Sequence, residues 1–259
     1  VKDIMSRHGF SFSKGLGQNF LINPNVCPKI AEMGNANQDS GIIEIGTGFG
    51  TLTAELAKGA DKVVAIEIDS RLIPVLDETL AEFDNVKIIN QDFMETDLNK
   101  IIAEEFSGMK VSVCANLPYY ITSPVIMKLL ESRVPIESIT VMVQKEAGQR
   151  LCAEIGTRES GAITVAVNYY GTAVSLFNVS RGSFMPSPNV DSCVIRIDVN
   201  KRYSLDEDAE KFFFKMIKAG FAQRRKTAPN SLSSGMSIPK ETVLNALRNG
   251  GFSETVRPE

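Results

Sequence analysis

The densest chemistry in this chain lies at 111–120, VSVCANLPYY. Val111, Val113, Cys114 and Ala115 have the composition of a buried strand, and Pro118 cannot donate to a ladder, so the strand ends near Asn116. Asn116 then stands at a carboxyl end with its carboxamide free, beside the rings of Tyr119 and Tyr120. A carboxamide oxygen accepts a hydrogen bond from an exocyclic amine, and a phenol ring stacks on a planar base. A strand-terminating turn uses the same Asn and Pro, so this stretch alone leaves turn and base pocket equally open.

Three earlier strands narrow the choice. Residues 41–50, GIIEIGTGFG, run an apolar strand into glycines at 46, 48 and 50, and a helix-compatible run follows at 51–58. Strand, glycine turn and helix let backbone approach a ligand with no Cβ in the way. The spacing is GxGxG rather than GxGxxG, so a pyrophosphate on the helix N-terminus is not specifically predicted. About twenty residues on, strand 63–66 ends in Glu67-Ile68-Asp69, where a carboxylate can accept both hydroxyls of a ribose. Strand 86–89 ends in Gln91-Asp92-Phe93; Asp92 can accept from an adenine amino group while Phe93 lies against the ring. Taken singly, each carboxylate is better explained as a helix cap or turn residue. Four successive strands nevertheless deliver Gly46, Glu67, Asp92 and Asn116 at the ends where open α/β sheets bind ligands.

The elements that must position these groups follow from periodicity. Helices are expected at 26–33, 70–83, 123–132 (Ser123 capping, Pro124 first), 144–155 and 161–170, the last assigned by the alternation of the sheet. Strands are expected at 139–143, 174–179 and 193–199. The loop Phe184-Met185-Pro186-Ser187-Pro188 is stiffened by its prolines; Phe184 is either the second face of a base sandwich or a plug under the loop. GLGQNFL at 15–21 reads as a flexible lead-in or as a lid carrying Asn19. After residue 201 the sheet pattern stops, with helical runs at 205–221 and 240–249. Between them FAQRRKT sets Arg224, Arg225 and Lys226 in a row, a density of cations that suits a phosphate backbone or a solvated surface. The Ser/Gly-rich segment 231–237 reads as a loop or hinge.

Composition excludes several chemistries. No stretch approaches the ~20 apolar residues of a membrane span, and the first ten residues lack a signal-peptide core, so a reduced, cytoplasmic protein is expected. The four cysteines form no CxxC pair, and His8 is the single histidine, so no metal site and no Cys–His or Ser–His–Asp catalysis is expected. Net charge is −3, unevenly spread: 17 Lys+Arg face 24 Asp+Glu over 1–199, and 11 face 7 over 200–259. Local potential, more than total charge, steers a polyanion.

In these motifs the chain closely resembles the small-subunit (16S) rRNA adenine N6,N6-dimethyltransferases of the KsgA type. The matching pieces are GQNFL (17–21), EIGTGFG (44–50), EID (67–69), QDF (91–93), NLPYY (116–120), VMVQKE (141–146), FMPSPNVDS (184–192) and FAQRRKT (221–227). They span nearly the whole chain in family order. The resemblance implies an α/β fold: a Rossmann-like S-adenosylmethionine-dependent methyltransferase domain over 1–200, with a seven-stranded, mostly parallel sheet whose last hairpin is antiparallel. A small all-helical, RNA-binding domain over 201–259 is implied with it. It further implies S-adenosyl-L-methionine as cofactor, held by Asn19, Leu21, Gly46, Glu67, Asp92 and Asn116. Asn116, Leu117, Tyr119 and Phe184 would act on the adenine, and Arg224, Arg225 and Lys226 would contact small-subunit rRNA, within a pre-30S particle. No membrane or metal partner is implied.

Two departures fall in the C-terminal region. Ala228-Pro229-Asn230-Ser231 stands where a more hydrophobic continuation is expected, and Arg257-Pro258-Glu259 stands where relatives continue into a last helix. Competing readings are a large-subunit rRNA adenine methyltransferase of the antibiotic-resistance type, against which FAQRRKT argues, and a small-subunit assembly factor whose methylation is incidental. A DNA adenine methyltransferase is disfavoured because its motif carries two prolines after the Asn or Asp.

Overall fold

The computed structural model describes residues 7–9, 17–200, 204–223 and 225–258. Its strands are β1 (Phe20–Leu21), β2 (Ser40–Ile45), β3 (Lys62–Glu67), β4 (Val86–Asn90), β5 (Lys110–Asn116), β6 (Ile136–Gln144), β7 (Gly171–Val179), β8 (Phe184–Met185) and β9 (Ser192–Val199). Its helices are α1 (Val26–Met33), α2 (Thr51–Gly59), α3 (Ile73–Thr79), α4 (Leu98–Glu105), α5 (Thr122–Glu131), α6 (Lys145–Leu151), α7 (Ala162–Tyr170), α8 (Glu207–Ala222), α9 (Ala228–Met236) and α10 (Lys240–Asn249). None of the described helices is long and apolar enough to cross a membrane.

Seven strands make one sheet in the order β4-β3-β2-β5-β6-β9-β7, a Rossmann-like arrangement. The pairs β2–β3, β2–β5, β3–β4 and β5–β6 are parallel, and β6–β9 is antiparallel. Parallel pairing needs crossovers, and α2, α3, α4 and α5 each follow one strand and precede the next. Helices on the faces explain why the central strands read as continuous apolar runs: Ile42, Ile43, Val63, Val64, Val113 and Ile139 are fully buried. From β2 the chain moves outward through β3 and β4, then returns to β5 on the other side. Strand order therefore reverses between β2 and β5, which opens a crevice at their carboxyl ends. A separate two-stranded ladder, β1 with β8, sets Leu21 opposite Phe184.

The described residues form two compact units. One runs to Gly148 and includes Thr172–Asn200; the other joins Gln149–Gly171 to the residues after Asn200. That division differs from the expected one, which assigned 149–171 to the first domain. Within the second unit, Tyr169 and Tyr170 of α7 donate their hydroxyls to the buried Glu210 of α8, at 2.8 and 3.0 Å. Their rings pack on Phe213 and Phe214, with Tyr170 stacked on Phe214 at 5.5 Å between centroids. Aromatic packing and charge-assisted hydrogen bonds thus bind α7 to a helix some forty residues away.

Other expectations shift locally. The 231–237 segment is no hinge: it lies almost wholly in α9, with Pro229 in its first turn and Ser237 left-handed at its end. Gly235 brings α9 against α8, since a Cβ there would lie 2.5 Å from that of Ala219. Helix α5 begins at Thr122, so Ser123 sits inside the first turn rather than capping it. Over 70–83 a 3-10 turn (Ser70–Leu72), capped by Asp69, precedes the shorter α3. The helix expected at 144–155 is confined to α6.

Candidate active site at the carboxyl ends of the central strands

The crevice between β2 and β5 opens into a cavity of about 230 Å³. Asn19, Gly46, Glu67, Asp92, Asn116 and Leu117 line it, with the rings of Tyr119 and Phe184. These come from the lead-in, from four strand ends and from β8, so the topology gathers residues spread over 166 positions of sequence. Leu21 is the exception. Its side chain lines a smaller neighbouring cavity of about 40 Å³ and belongs to the core, because β1 alternates and sends Phe20, not Leu21, into the larger one.

Gly46 follows β2 with φ +76°, and a Cβ built there meets nothing nearer than the Asn116 carbonyl at 3.9 Å. A side chain at this position would project into free space beside Asn116, and its backbone would be strained. Gly48, at φ +57°, lies so close to Phe20 that a Cβ would stand 3.1 Å from the ring.

Glu67 is 5% exposed and heavily committed. One carboxylate oxygen accepts from the Thr47 hydroxyl (3.0 Å) and the Gly48 amide (3.1 Å), and the other accepts from the Asp69 amide (2.8 Å). A carboxylate offers about four acceptor sites, so two hold the glycine loop, one holds the turn after β3 and one is left over. Beyond it, Asp69 accepts two hydrogen bonds from the Arg71 guanidinium and one from the Arg71 amide, and also accepts from Gln18, tying the lead-in to the β3 loop. The Arg71 guanidinium keeps the Asp69 carboxyl below the usual carboxylate range.

Asp92 caps the 3-10 turn after β4 by accepting from the Met94 amide at 2.8 Å. That cap uses one carboxylate oxygen, and the other has no partner among the described residues. The Asn116 side chain likewise makes no hydrogen bond to any described residue, although it is only partly exposed. Asn19 makes one long bond, 3.3 Å to the Gly17 carbonyl. Tyr119 is held by a 2.9 Å hydrogen bond between its hydroxyl and Ser192, and burial pushes its pKa above the usual phenol value. It is a neutral wall, not a base. Phe184 is 4% exposed, packed into the core and lining the cavity as well.

The lead-in residues 10–16 and the cation Arg224 lie outside the described residues. Arg225 and Lys226 are exposed, in the turn between α8 and α9, and neither pairs with a described acid. His8 contacts Glu78 at 2.7 Å, away from the cavity lining. Among the described residues no group of His, Cys, Asp and Glu could hold a metal ion.

Glu44 was given no role by sequence reasoning, although one charge inside GIIEI was the available signal. It is fully buried in β2, and among the described residues neither of its oxygens has a partner within hydrogen-bond geometry, although the nearby Thr53 hydroxyl partly offsets its burial. Burial, reinforced by the negative Glu67, pushes its pKa to about 8. The unfolded chain releases this proton near pH 4.5 and the folded chain only near 8. Stability is therefore lost as pH rises through that window, at up to about 1.4 kcal/mol per unit. Glu44→Gln is expected to flatten the decline of Tm between pH 5 and 8; parallel pH profiles would mean that Glu44 holds no proton.

Comparison with known proteins agrees with this geometry. The family model for ribosomal RNA adenine dimethylase matches residues 9–248. The small-subunit rRNA methyltransferase A of Bacillus mycoides (strain KBAB4) is 48% identical over 246 residues, covering 94% of this chain and 84% of that protein. Its counterpart in Bacillus cereus (strain AH187) gives the same values. Among solved structures, a dimethyladenosine transferase from Plasmodium falciparum matches with a TM-score of 0.75 at 25% identity, over 92% of this chain and 91% of that one. The 23S rRNA methyltransferase ErmE matches with a TM-score of 0.68 at 28% identity, over 93% and 95%. With cavity, topology and nearly the full length in agreement, the chain belongs to the ribosomal RNA adenine dimethylase family.

Proposed function

We propose that this protein transfers methyl groups from S-adenosylmethionine to N6 of two adjacent adenines near the 3′ end of small-subunit rRNA, giving N6,N6-dimethyladenine during assembly of the subunit. The observation that carries it is the Asn116 carboxamide, without a partner among the described residues and placed beside Gly46 at the point where strand order reverses. The 48% identity to small-subunit methyltransferases supports that substrate over the large-subunit one.

The residues fit the cofactor. Glu67 has one acceptor site left for a ribose hydroxyl, Asp92 has a free oxygen for an adenine amine, and Gly46 leaves open space where a side chain would intrude. Asn19 stands at the same cavity. Bound S-adenosylmethionine supplies an electrophilic methyl group on a sulfonium.

The chain's own part is to prepare the nucleophile. An adenine amine is weakly nucleophilic because its lone pair is delocalised into the ring. Asn116, through its side-chain oxygen, and Leu117, through its carbonyl, accept the N6 hydrogens and favour a more tetrahedral nitrogen. Tyr119, locked by Ser192, and Phe184 hold the ring. Alignment supplies most of the acceleration, as an effective molarity, and no strong base is required. The amine acidifies once alkylated and loses its proton afterwards. The target adenine leaves its stack to enter the pocket.

Arg224, Arg225 and Lys226 are assigned to rRNA phosphates. Changing all three to Ala should flatten the salt dependence of rRNA binding by up to about two log units per log unit of salt, at ~0.7 per contact. S-adenosylmethionine affinity should stay constant. Coinciding slopes would leave the run a solvated surface. The function itself is tested with labelled S-adenosylmethionine offered naked small-subunit rRNA, partly assembled small subunits or large-subunit rRNA. Label in either small-subunit substrate supports the proposal, and label confined to large-subunit rRNA overturns it. If Asn116→Ala protein still matures subunits in cells, assembly is the main role.

A further inference from the structure

Residues 211–240 carry seven cations, Lys211, Lys215, Lys218, Arg224, Arg225, Lys226 and Lys240, and no Asp or Glu at all. In a chain of net charge −3 this is the longest one-signed region around the basic run. Three of the cations belong to α8. Lys211, Lys215 and Lys218 are spaced i, i+4 and i+7, which places them in one stripe, and all three are exposed. Lys211 pairs with Glu207 at 2.6 Å on the open surface, a contact of little strength. Lys215 and Lys218 have no acidic partner among the described residues.

An aromatic ring flanks the stripe. Of the run Phe212-Phe213-Phe214, the second and third turn inward against Tyr169 and Tyr170, whereas Phe212 is 57% exposed. It makes no ring contact with any described residue and lies three positions before Lys215, hence beside it on the helix surface. Burying Phe212 in the aromatic core would have been the low-energy choice for folding alone. A positive stripe with an unpartnered ring beside it is the pattern that tracks a backbone and stacks a base.

We propose that the outer face of α8 is a second RNA-contacting surface, on which Lys215 and Lys218 neutralise phosphates and Phe212 stacks on an unpaired base. The inference rests on rRNA being the substrate and extends its contacts beyond the basic run at 224–226. Charge complementarity selects the occupant: Glu207 offsets only Lys211, so the stripe keeps a net positive charge that repels a second copy of itself and suits a polyanion.

The test is binding of full-length small-subunit rRNA at several salt concentrations. It compares wild type, Lys215→Gln/Lys218→Gln, Phe212→Ala, Phe212→Tyr and Arg225→Ala/Lys226→Ala, each checked by circular dichroism. The double Gln variant should lower the salt slope by about 1.4, at ~0.7 per phosphate contact. Phe212→Ala should weaken binding at least about fivefold with the slope unchanged, because a stack releases no counterions, and Phe212→Tyr should restore it. Slopes and affinities equal to wild type, while Arg225→Ala/Lys226→Ala alone loses slope, would overturn the α8 surface and leave the substrate reading intact. Wild-type protein that neither binds nor methylates this rRNA would overturn the substrate reading, and the α8 surface with it. A dimer in sedimentation that Phe212→Ala dissociates would make this face a contact between copies instead.

Discussion

Asn116→Ala is expected to lower kcat at saturating RNA by at least about a hundredfold while RNA affinity changes little, because loss of alignment at the reacting nitrogen has effects of that size. The structure makes this a clean substitution. The Asn116 amide bonds to no described residue, so its removal orphans no internal partner and should leave the unfolding free energy within about 0.5 kcal/mol of wild type. Single-turnover rates and RNA titrations on the same protein separate the two effects. Losses of equal size in rate and in RNA affinity would make Asn116 a binding residue.

Glu67→Ala is expected to weaken S-adenosylmethionine binding by roughly 1–3 kcal/mol, the range of a charge-assisted hydrogen bond. Here the substitution is not clean, and the structure says why. The carboxylate also accepts from Thr47, Gly48 and Asp69, so truncation leaves three donors unpaired and loosens the glycine loop. Glu67→Gln is no remedy, since its amide presents a donor to one of those donors. Both variants should therefore lose stability as well as affinity. Calorimetry below the transition temperature isolates the binding loss. Unchanged affinity in folded protein would remove Glu67 from the cofactor site.

What was legible in the sequence was whatever depended on short-range order. An apolar run broken by a polar residue marks a strand's carboxyl end, and in a parallel sheet those ends converge; Gly46, Glu67, Asp92 and Asn116 line one cavity for that reason. What depended on tertiary contact was hidden. α9 is poor in helix formers, APNSLSSGM, and forms because Gly235 lets it lie against α8. Packing overrode propensity there. The grouping of 149–171 with the C-terminal helices rests on Tyr169 and Tyr170 reaching Glu210, which no local pattern announces. Leu21 lay one residue from the cavity, and a strand turns one residue of error into the opposite face. The three internal bonds of Glu67 and the solitude of Glu44 are likewise facts of three dimensions.

The most direct test is nucleoside analysis of small-subunit rRNA after reaction with S-adenosylmethionine. RNA lacking the modification is incubated with the protein, digested, and resolved by mass spectrometry, with the modified positions mapped by primer extension. The account predicts N6,N6-dimethyladenosine, two per RNA, at adjacent positions near the 3′ end. Methylation of any atom other than adenine N6, or of adenines in large-subunit rRNA alone, would contradict it.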